Sequence, residues 1–239
     1  MRQWNAALRA AILIAACSFS AVALGQSKLA PGFAKLPAGA TILVMPIDIE
    51  LFELGVGGLP APRADWTQEA RERIRQSYVT RKQWRVQAAD LQDDPQVVEL
   101  NRLHDAVGAA ILVHHFGEKQ RLKGKYGKLD WTLGPDAVLL REKTGADYAL
   151  FTVVRDAYAS GGRQAVEAVQ TLAMIALALT GRVIVTPGSA RINRAHASLV
   201  DLKTGQIVWA NRLTERAGDL RDADAAKETV EALLAGFPN

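Results

Sequence analysis

The chain has 239 residues, with 29 Lys+Arg against 25 Asp+Glu and a net charge of +4; 49% of its residues are hydrophobic and 23% charged. That balance excludes a disordered or collagen-like chain and fits one globular domain with a short extension. So small a net charge also excludes strong electrostatic capture of nucleic acid.

Residues 1–25 read as a signal peptide. Arg2 and Arg9 give a basic start, and no acidic residue occurs before Asp48. Residues 10–24 form an almost unbroken apolar run of 15 residues, short of the ~20 that a helix needs to cross a bilayer. Ala23-Leu24-Gly25 offers small residues to a signal peptidase and puts the cut between Gly25 and Gln26. That cut lowers the net charge of the remainder to +2. Ile14-Ala15-Ala16-Cys17 supports a second route, because it resembles a bacterial lipobox in which Cys17 is lipidated and becomes the amino terminus. Cys17 is the sole cysteine, so cleavage after Gly25 removes all thiol chemistry and suits an oxidising compartment. Both routes end in the periplasm, with the protein soluble or tethered to the outer membrane by a lipid.

Residues 26–39, with Pro31 and Pro37, are expected to be a flexible tether, and residues 40–239 the folded domain. Thr41-Ile42-Leu43-Val44-Met45 is continuous and β-favouring, and Ile47, Ile49 and Leu51 then alternate with Asp48 and Glu50, so one strand is expected over 40–51. Residues 55–62, rich in glycine and proline, read as a loop. Asp65 and Gln68 make a capping-box pattern for a helix over about 66–82. Residues 84–88 fit a short second strand. Pro95 opens a longer helix in which Val97, Val98, Leu100, Leu103, Val107, Ala110 and Ile111 recur at helical spacing, ending near Gly117.

Residues 119–128 are a basic loop broken by Gly124 and Gly127. Pro135 starts a short helix that ends at Thr144-Gly145, and residues 146–154 are a strong strand. Residues 164–179 are unusually apolar. Residues 197–202 and 207–210, joined by Lys203-Thr204-Gly205-Gln206, form the clearest hairpin. Asp222 and Asp224 suit the amino end of a last helix running to Leu234. Strands that alternate with helices and finish in an antiparallel hairpin predict a single mixed-sheet α/β domain with flanking helices.

Three segments carry a resemblance. They are Ala40-Thr41-Ile42-Leu43-Val44-Met45-Pro46, then Lys143-Thr144-Gly145-Ala146-Asp147-Tyr148-Ala149-Leu150-Phe151, and then residues 198–209, where a D-x-x-T-G-x-I-x-W run spans Asp201 to Trp209. In this order they resemble a superfamily of bacterial envelope proteins. It includes the curli secretion channel subunit, the outer-membrane activators of penicillin-binding proteins and the amino-terminal domain of the Tol translocation protein. The resemblance covers residues 40–215 in outline. It departs in the middle, where the secretion channel has membrane-crossing hairpins and this chain has a segment of helical character, so pore formation is not carried over. It implies a non-enzymatic protein, of a group made mostly of lipoproteins, that binds other envelope proteins. In the hairpin, Gly205 is expected in the left-handed turn position, Asp201 as acceptor for turn amides, and Trp209 half-buried across the strands.

The chemistry-bearing residues give little else. His104, His114, His115 and His196 lack His-Glu-x-x-His spacing, and they read as ordinary surface or interface residues. Ser160, in Ala159-Ser160-Gly161-Gly162, follows a strand as a hydrolase elbow would, but Tyr158 stands where a glycine is required. Gly55-Val56-Gly57-Gly58 lacks the lysine of a phosphate loop, and Asp219, Asp222 and Asp224 miss the calcium-loop spacing. No catalytic residue, metal ligand or cofactor is therefore assigned.

Two contact surfaces are expected. Lys119, Arg121, Lys123, Lys125 and Lys128 would meet anionic lipid, lipopolysaccharide or cell-wall polymer, with a solvated loop as the simpler reading. Residues 165–179, about 22 Å long as a helix against a hydrocarbon core of about 30 Å, are either a buried core helix or a contact helix. In the second case Leu172, Ile175 and Leu179 would pair with another subunit of a homo-oligomer or dip into a leaflet. The expected function is that of an exported protein acting through protein–protein contacts in envelope assembly or secretion. A periplasmic hydrolase using Ser160 or the carboxylate pair Asp48 and Glu50, or a cell-wall or small-ligand binding module, are the alternatives.

Overall fold

The computed structural model describes residues 25–57, 59–81, 85–87, 91–117, 121–125, 127–162, 193–213 and 218–239. In chain order the elements are β1 (Gly25–Leu29), β2 (Thr41–Val44), β3 (Asp48–Leu54), β4 (Pro60–Pro62), α1 (Ala64–Val79), β5 (Arg85–Gln87), α2 (Pro95–His114), α3 (Asp136–Thr144), β6 (Tyr148–Ala159), β7 (Asn193–Asp201), β8 (Ile207–Leu213) and α4 (Ala223–Leu233). The strands make one mixed sheet, as the alternation of elements predicts. β1, β8, β7 and β6 lie side by side in that order, each pair antiparallel. The far side of β6 is shared by two strands in tandem, β2 beside residues 148–150 and β3 beside residues 153–159, both parallel to it. β5 lies parallel outside β2, and β4 lies antiparallel outside β3.

The sheet is buried on both faces. α1 and α4 cover one face, where Ile42, Ile49, Leu51, Ile74, Tyr78 and Val230 share a core. α2 and α3 cover the other, over Leu43, Met45, Leu100, Ile111, Leu140 and Phe151. Adjacent residues of β2 therefore point into different cores, which is why its sequence is continuous rather than alternating. No described helix is long and apolar enough to cross a membrane.

Local signals hold where the chemistry is local. Asp94 caps α2, its Oδ1 accepting from Gln96 N at 3.0 Å and Val97 N at 3.3 Å, with Pro95 in the first turn. Asp222 does the same for α4, accepting from Asp224 N at 2.9 Å and Ala225 N at 3.1 Å. In the β7–β8 turn Gly205 has φ +73° and Asp201 Oδ1 accepts from Lys203 N at 2.7 Å.

Several expectations are corrected. The single strand over 40–51 is two, because Pro46 has no N–H to offer a ladder and the chain steps outward there, after Met45 N has donated to Leu150 O at 3.0 Å. The segment expected as a tether is built into the domain. Gly25–Leu29 is a sheet strand that satisfies the outer backbone groups of β8, and Phe33 and Leu36 pack on the core. Within the expected 55–62 loop, residues 60–62 pair with β3, and two prolines are tolerated there because the strand is an edge. Helix α1 starts at Ala64 without a side-chain cap, since Asp65 is taken up by Arg63, whose Nε and Nη2 lie 3.0 and 2.6 Å from it. Trp209 is fully rather than half buried, with Phe237 edge-on at 5.1 Å.

Candidate functional site

The step between β2 and β3 leaves an opening in the outer edge of the sheet. β5 pairs with residues 41–43 and β4 with residues 52–54, so among the described residues no strand lies outside residues 44–51. The helices flanking this gap enclose two adjoining cavities of about 800 and 380 Å³ that share Pro46, Ile47, Arg71 and Gln92 in their walls. The larger runs along α1 past Gln68 and Arg75. The smaller runs under α2 past Asn101 and Asp105 to Asp48 and Arg155. Side chains stand in for the missing strand. Asn101 Nδ2 donates to Pro46 O and Arg71 Nε to Ile47 O, both at 3.2 Å. Further along, Leu51 N donates to Thr67 Oγ1 at 3.0 Å, and Leu51 O accepts from Arg63 N at 2.9 Å.

The charges at the inner end of the groove are fixed. Arg155, on β6, donates from Nη1 to Asp48 O at 2.9 Å, lies 2.8 Å from the Asp48 carboxylate through Nη2, and sits 3.4 Å from Glu50 through Nε. Burial works against its charge, and Asp48 and Glu50 outweigh that, holding its pKa above the ordinary value. Beside it, Arg194 of β7 pairs with Asp105 of α2 at 2.7 Å. The carboxylates that a hydrolase would need, Asp48 and Glu50, are thus held by one guanidinium rather than set apart as acid and base. Ser160 belongs to a different place. It lies seven residues beyond Val153, the β6 partner of His196, or about 23 Å along the strand, so the two form no nucleophile–base pair.

Three histidines expected at the surface are buried instead. His104 of α2, His196 of β7 and the α2 cap residue His115 are 1%, 3% and 7% exposed. His104 stacks on Phe151 at 4.5 Å and on His196 at 5.5 Å. His196 is pushed down to about 3, by burial first and then by the charges of Arg194 and Arg155. Burial, and secondarily His196, hold His104 well below its usual range. His115 is lowered by burial, with Lys28 and Arg121 adding to it. These imidazoles are therefore neutral at pH 7. Gly108 faces them, and a Cβ there would overlap His196 Nε2. Among the described residues no group of three His, Cys, Asp or Glu side chains is placed to hold a metal ion.

The residues singled out from sequence are scattered. Gln26 lies in β1, where its Oε1 accepts from Arg212 Nη2 at 2.8 Å; Gly25 opens the same strand. Arg121, Lys123 and Lys128 are exposed. Lys125 is turned back onto its own loop, donating to Asp130 O and lying 5.0 Å over Trp131. Cys17, Lys119, Leu172, Ile175 and Leu179 lie outside the described residues. What sequence reasoning missed is Arg155 as clamp and Gly108 as a close approach. The signals were a lone arginine inside the apolar β6 and a glycine inside an amphipathic helix.

The architecture is thus a mixed-sheet α/β domain with a broken strand and a polar groove at the break. No protein-family model matches the sequence, and no curated protein matches it. Among solved structures, a PelC dodecamer from Paraburkholderia phytofirmans is similar at a TM-score of 0.39 and 12% identity, over 90% of this chain and 98% of that one. The LpoB C-terminal domain from Salmonella enterica is similar at 0.28 and 14% identity, over 77% and 84% of the two chains. The lipoprotein GNA1162 from Neisseria meningitidis is similar at 0.29 and 12% identity, over 83% and 97%. At these scores and identities the likeness is one of outline alone.

Proposed function

We propose that this is an exported, non-enzymatic envelope protein that acts by contact with other envelope proteins in assembly or secretion. The observation that carries the reading is the Arg155 clamp, which spends the Asp48 and Glu50 carboxylates on fixing the groove rather than on moving protons. The basic start and apolar run of residues 1–25 support export, with cleavage before Gln26 or lipidation of Cys17 as the two ways of maturing. Intact mass of the protein isolated from envelope fractions separates them. The contact reading is tested by photo-crosslinking in living cells from Gln92 and Arg102 on the groove. Discrete adducts with envelope proteins are expected. Adducts with cytoplasmic proteins alone, or none, would overturn it.

The exposed Arg121, Lys123 and Lys128 favour a second contact, with anionic lipid or cell-wall polymer. Replacing these three and Lys119 by glutamine is expected to release the protein from envelope material at moderate salt. Unchanged fractionation would remove this contact. Leu172, Ile175 and Leu179 are proposed as the face that meets another copy or a leaflet, and Ile175→Ala tests it by whether the oligomeric state changes.

A further inference from the structure

We propose that the groove between α1 and α2 binds a small peptide-like ligand with a free carboxylate, which Arg71 recognises. The proposal goes beyond the contact reading above and does not depend on it.

Three observations converge. The first is space. The larger cavity, about 800 Å³, falls within the roughly 300–1,000 Å³ of pockets that hold small ligands, and the cavity of about 380 Å³ adjoins it. Solvent reaches its polar walls, since Gln68, Arg75 and Gln92 are exposed and Arg71 is half-buried. Val44, Met45 and Ile47, all buried, form its apolar lining together with Val79 and Leu91. An apolar lining with a few polar groups around it is the usual make-up of a ligand pocket.

The second is charge. Arg75 is paired with Glu72 at 2.8 Å, and Arg155 with Asp48 and Glu50. Arg102 reaches Glu99 only at 3.8 Å, but its side chain is 75% exposed, where water screens it. Arg71, in the wall common to both cavities, pairs with no carboxylate among the described residues. Its Nε donates to Ile47 O at 3.2 Å, which holds the guanidinium in place and leaves Nη1 and Nη2 uncommitted. That pair of nitrogens forms a planar fork, and a carboxylate's two oxygens match it.

The third is the set of neutral polar groups around that cation. The side chains of Gln68 and Gln92 make no hydrogen bond among the described residues. Asn101 uses Nδ2 on Pro46 O, which leaves its Oδ1 as an acceptor. Gln68 stands one turn before Arg71 on the same side of α1, and Gln92 shares both cavities with Arg71. A primary amide donates and accepts, as a peptide group does, whereas a phosphate or sulfate offers acceptors almost alone. One uncommitted guanidinium among three amides therefore suits a single carboxylate followed by peptide groups better than a multiply charged anion.

The probe is N-acetyl-tetraalanine with a free carboxylate, titrated into the full chain and followed by calorimetry. Its controls are the carboxamide of the same peptide, acetate and glucuronate. Saturable binding of the acid is expected, with the carboxamide about tenfold weaker. Arg71→Gln should weaken the acid about tenfold and leave the carboxamide unchanged, a split that a merely structural role would not produce. Arg71→Lys, which keeps the charge, recovers part of the affinity, and Gln92→Ala gives a smaller loss. An unchanged melting temperature shows that the variants are folded. Equal binding of acid and carboxamide refutes recognition by Arg71, as does the absence of binding up to about 10 mM. Acetate or glucuronate binding as tightly as the peptide overturns the peptide class. A carrier protein ending in the same residues tells a free peptide from a protein's own chain end, and saturable binding of either upholds the site. None of these failures touches the crosslinks that test the contact reading.

Discussion

Acidifying the protein from pH 7 to pH 5 should cost about 2 kcal/mol of stability through His196 alone. In the unfolded chain this imidazole takes up its proton near its ordinary value of 6.5, whereas in the folded chain burial postpones that to about 3. Between those values the unfolded state binds the extra proton, so stability is complete above 6.5 and falls as pH drops through the window. Over the roughly 1.5 pH units from 6.5 to 5, at about 1.36 kcal/mol per unit, the loss is about 2 kcal/mol. His104 is shifted in the same direction and steepens the slope. The charged groups facing the pair are Arg155 on β6, Arg194 on β7 and Asp105 on α2, and the first two add to the depression at His196. Asp65 and Glu72, lowered by Arg63 and Arg75 respectively, lose their benefit only as pH falls below their ordinary values of 3.8 and 4.5, outside the comparison between pH 7 and pH 5. Urea denaturation at pH 7 and pH 5 measures the effect. His196→Leu should flatten the dependence, leaving the part due to His104 and His115. A wild type equally stable at both pH values, or a variant as pH-sensitive as the wild type, would refute the argument.

Gly108→Ala should destabilise by about 1–3 kcal/mol, although alanine in a helix ordinarily gains about 1 kcal/mol over glycine, because the new methyl overlaps His196. In a His196→Ala background the same substitution should become neutral or stabilising, which a double-mutant cycle by denaturation reads directly. Arg155→Gln should cost about 2 kcal/mol by leaving Asp48 half-buried without its cation, and Asp48→Asn should restore part of it, as melting temperatures will show. A chain starting at Ala30 lacks β1 and bares the edge of β8; light scattering should show it aggregating at concentrations where the chain from Gly25 stays dispersed.

How far the sequence could be read depended on how far apart the interacting residues are. The β7–β8 hairpin and the starts of α2 and α4 are set by residues two or three positions apart, so Asp201, Gly205, Pro95 and Asp222 declared them, while the cap that Asp94 supplies to α2 was passed over. Strand β1 could not be seen, because Gly-Gln-Ser-Lys-Leu has no pattern of its own and becomes a strand only by pairing with β8. The Asp48–Glu50 pair looked like chemistry for the same reason, since the arginine that claims it is 107 residues away from Asp48. The histidines were misjudged because their burial comes from α2 lying over β7, a packing decision that neither segment records. Pro46 was legible in principle: a proline inside an apparent strand argues for a break.

The pairing of β1 with β8 also sets the order in which the molecule can be completed. Gln26 meets Arg212 across 186 residues, and Leu36 N bonds to Pro238 O. The edge of the sheet therefore closes only after nearly the whole polypeptide is present, and such distant pairings form slowly. On the export route proposed above, in which the chain crosses the membrane unfolded, this is a built-in delay. While the carboxy-terminal strand is still being made or translocated, the amino-terminal one has nothing to dock on, and the domain locks only once both ends are on the same side.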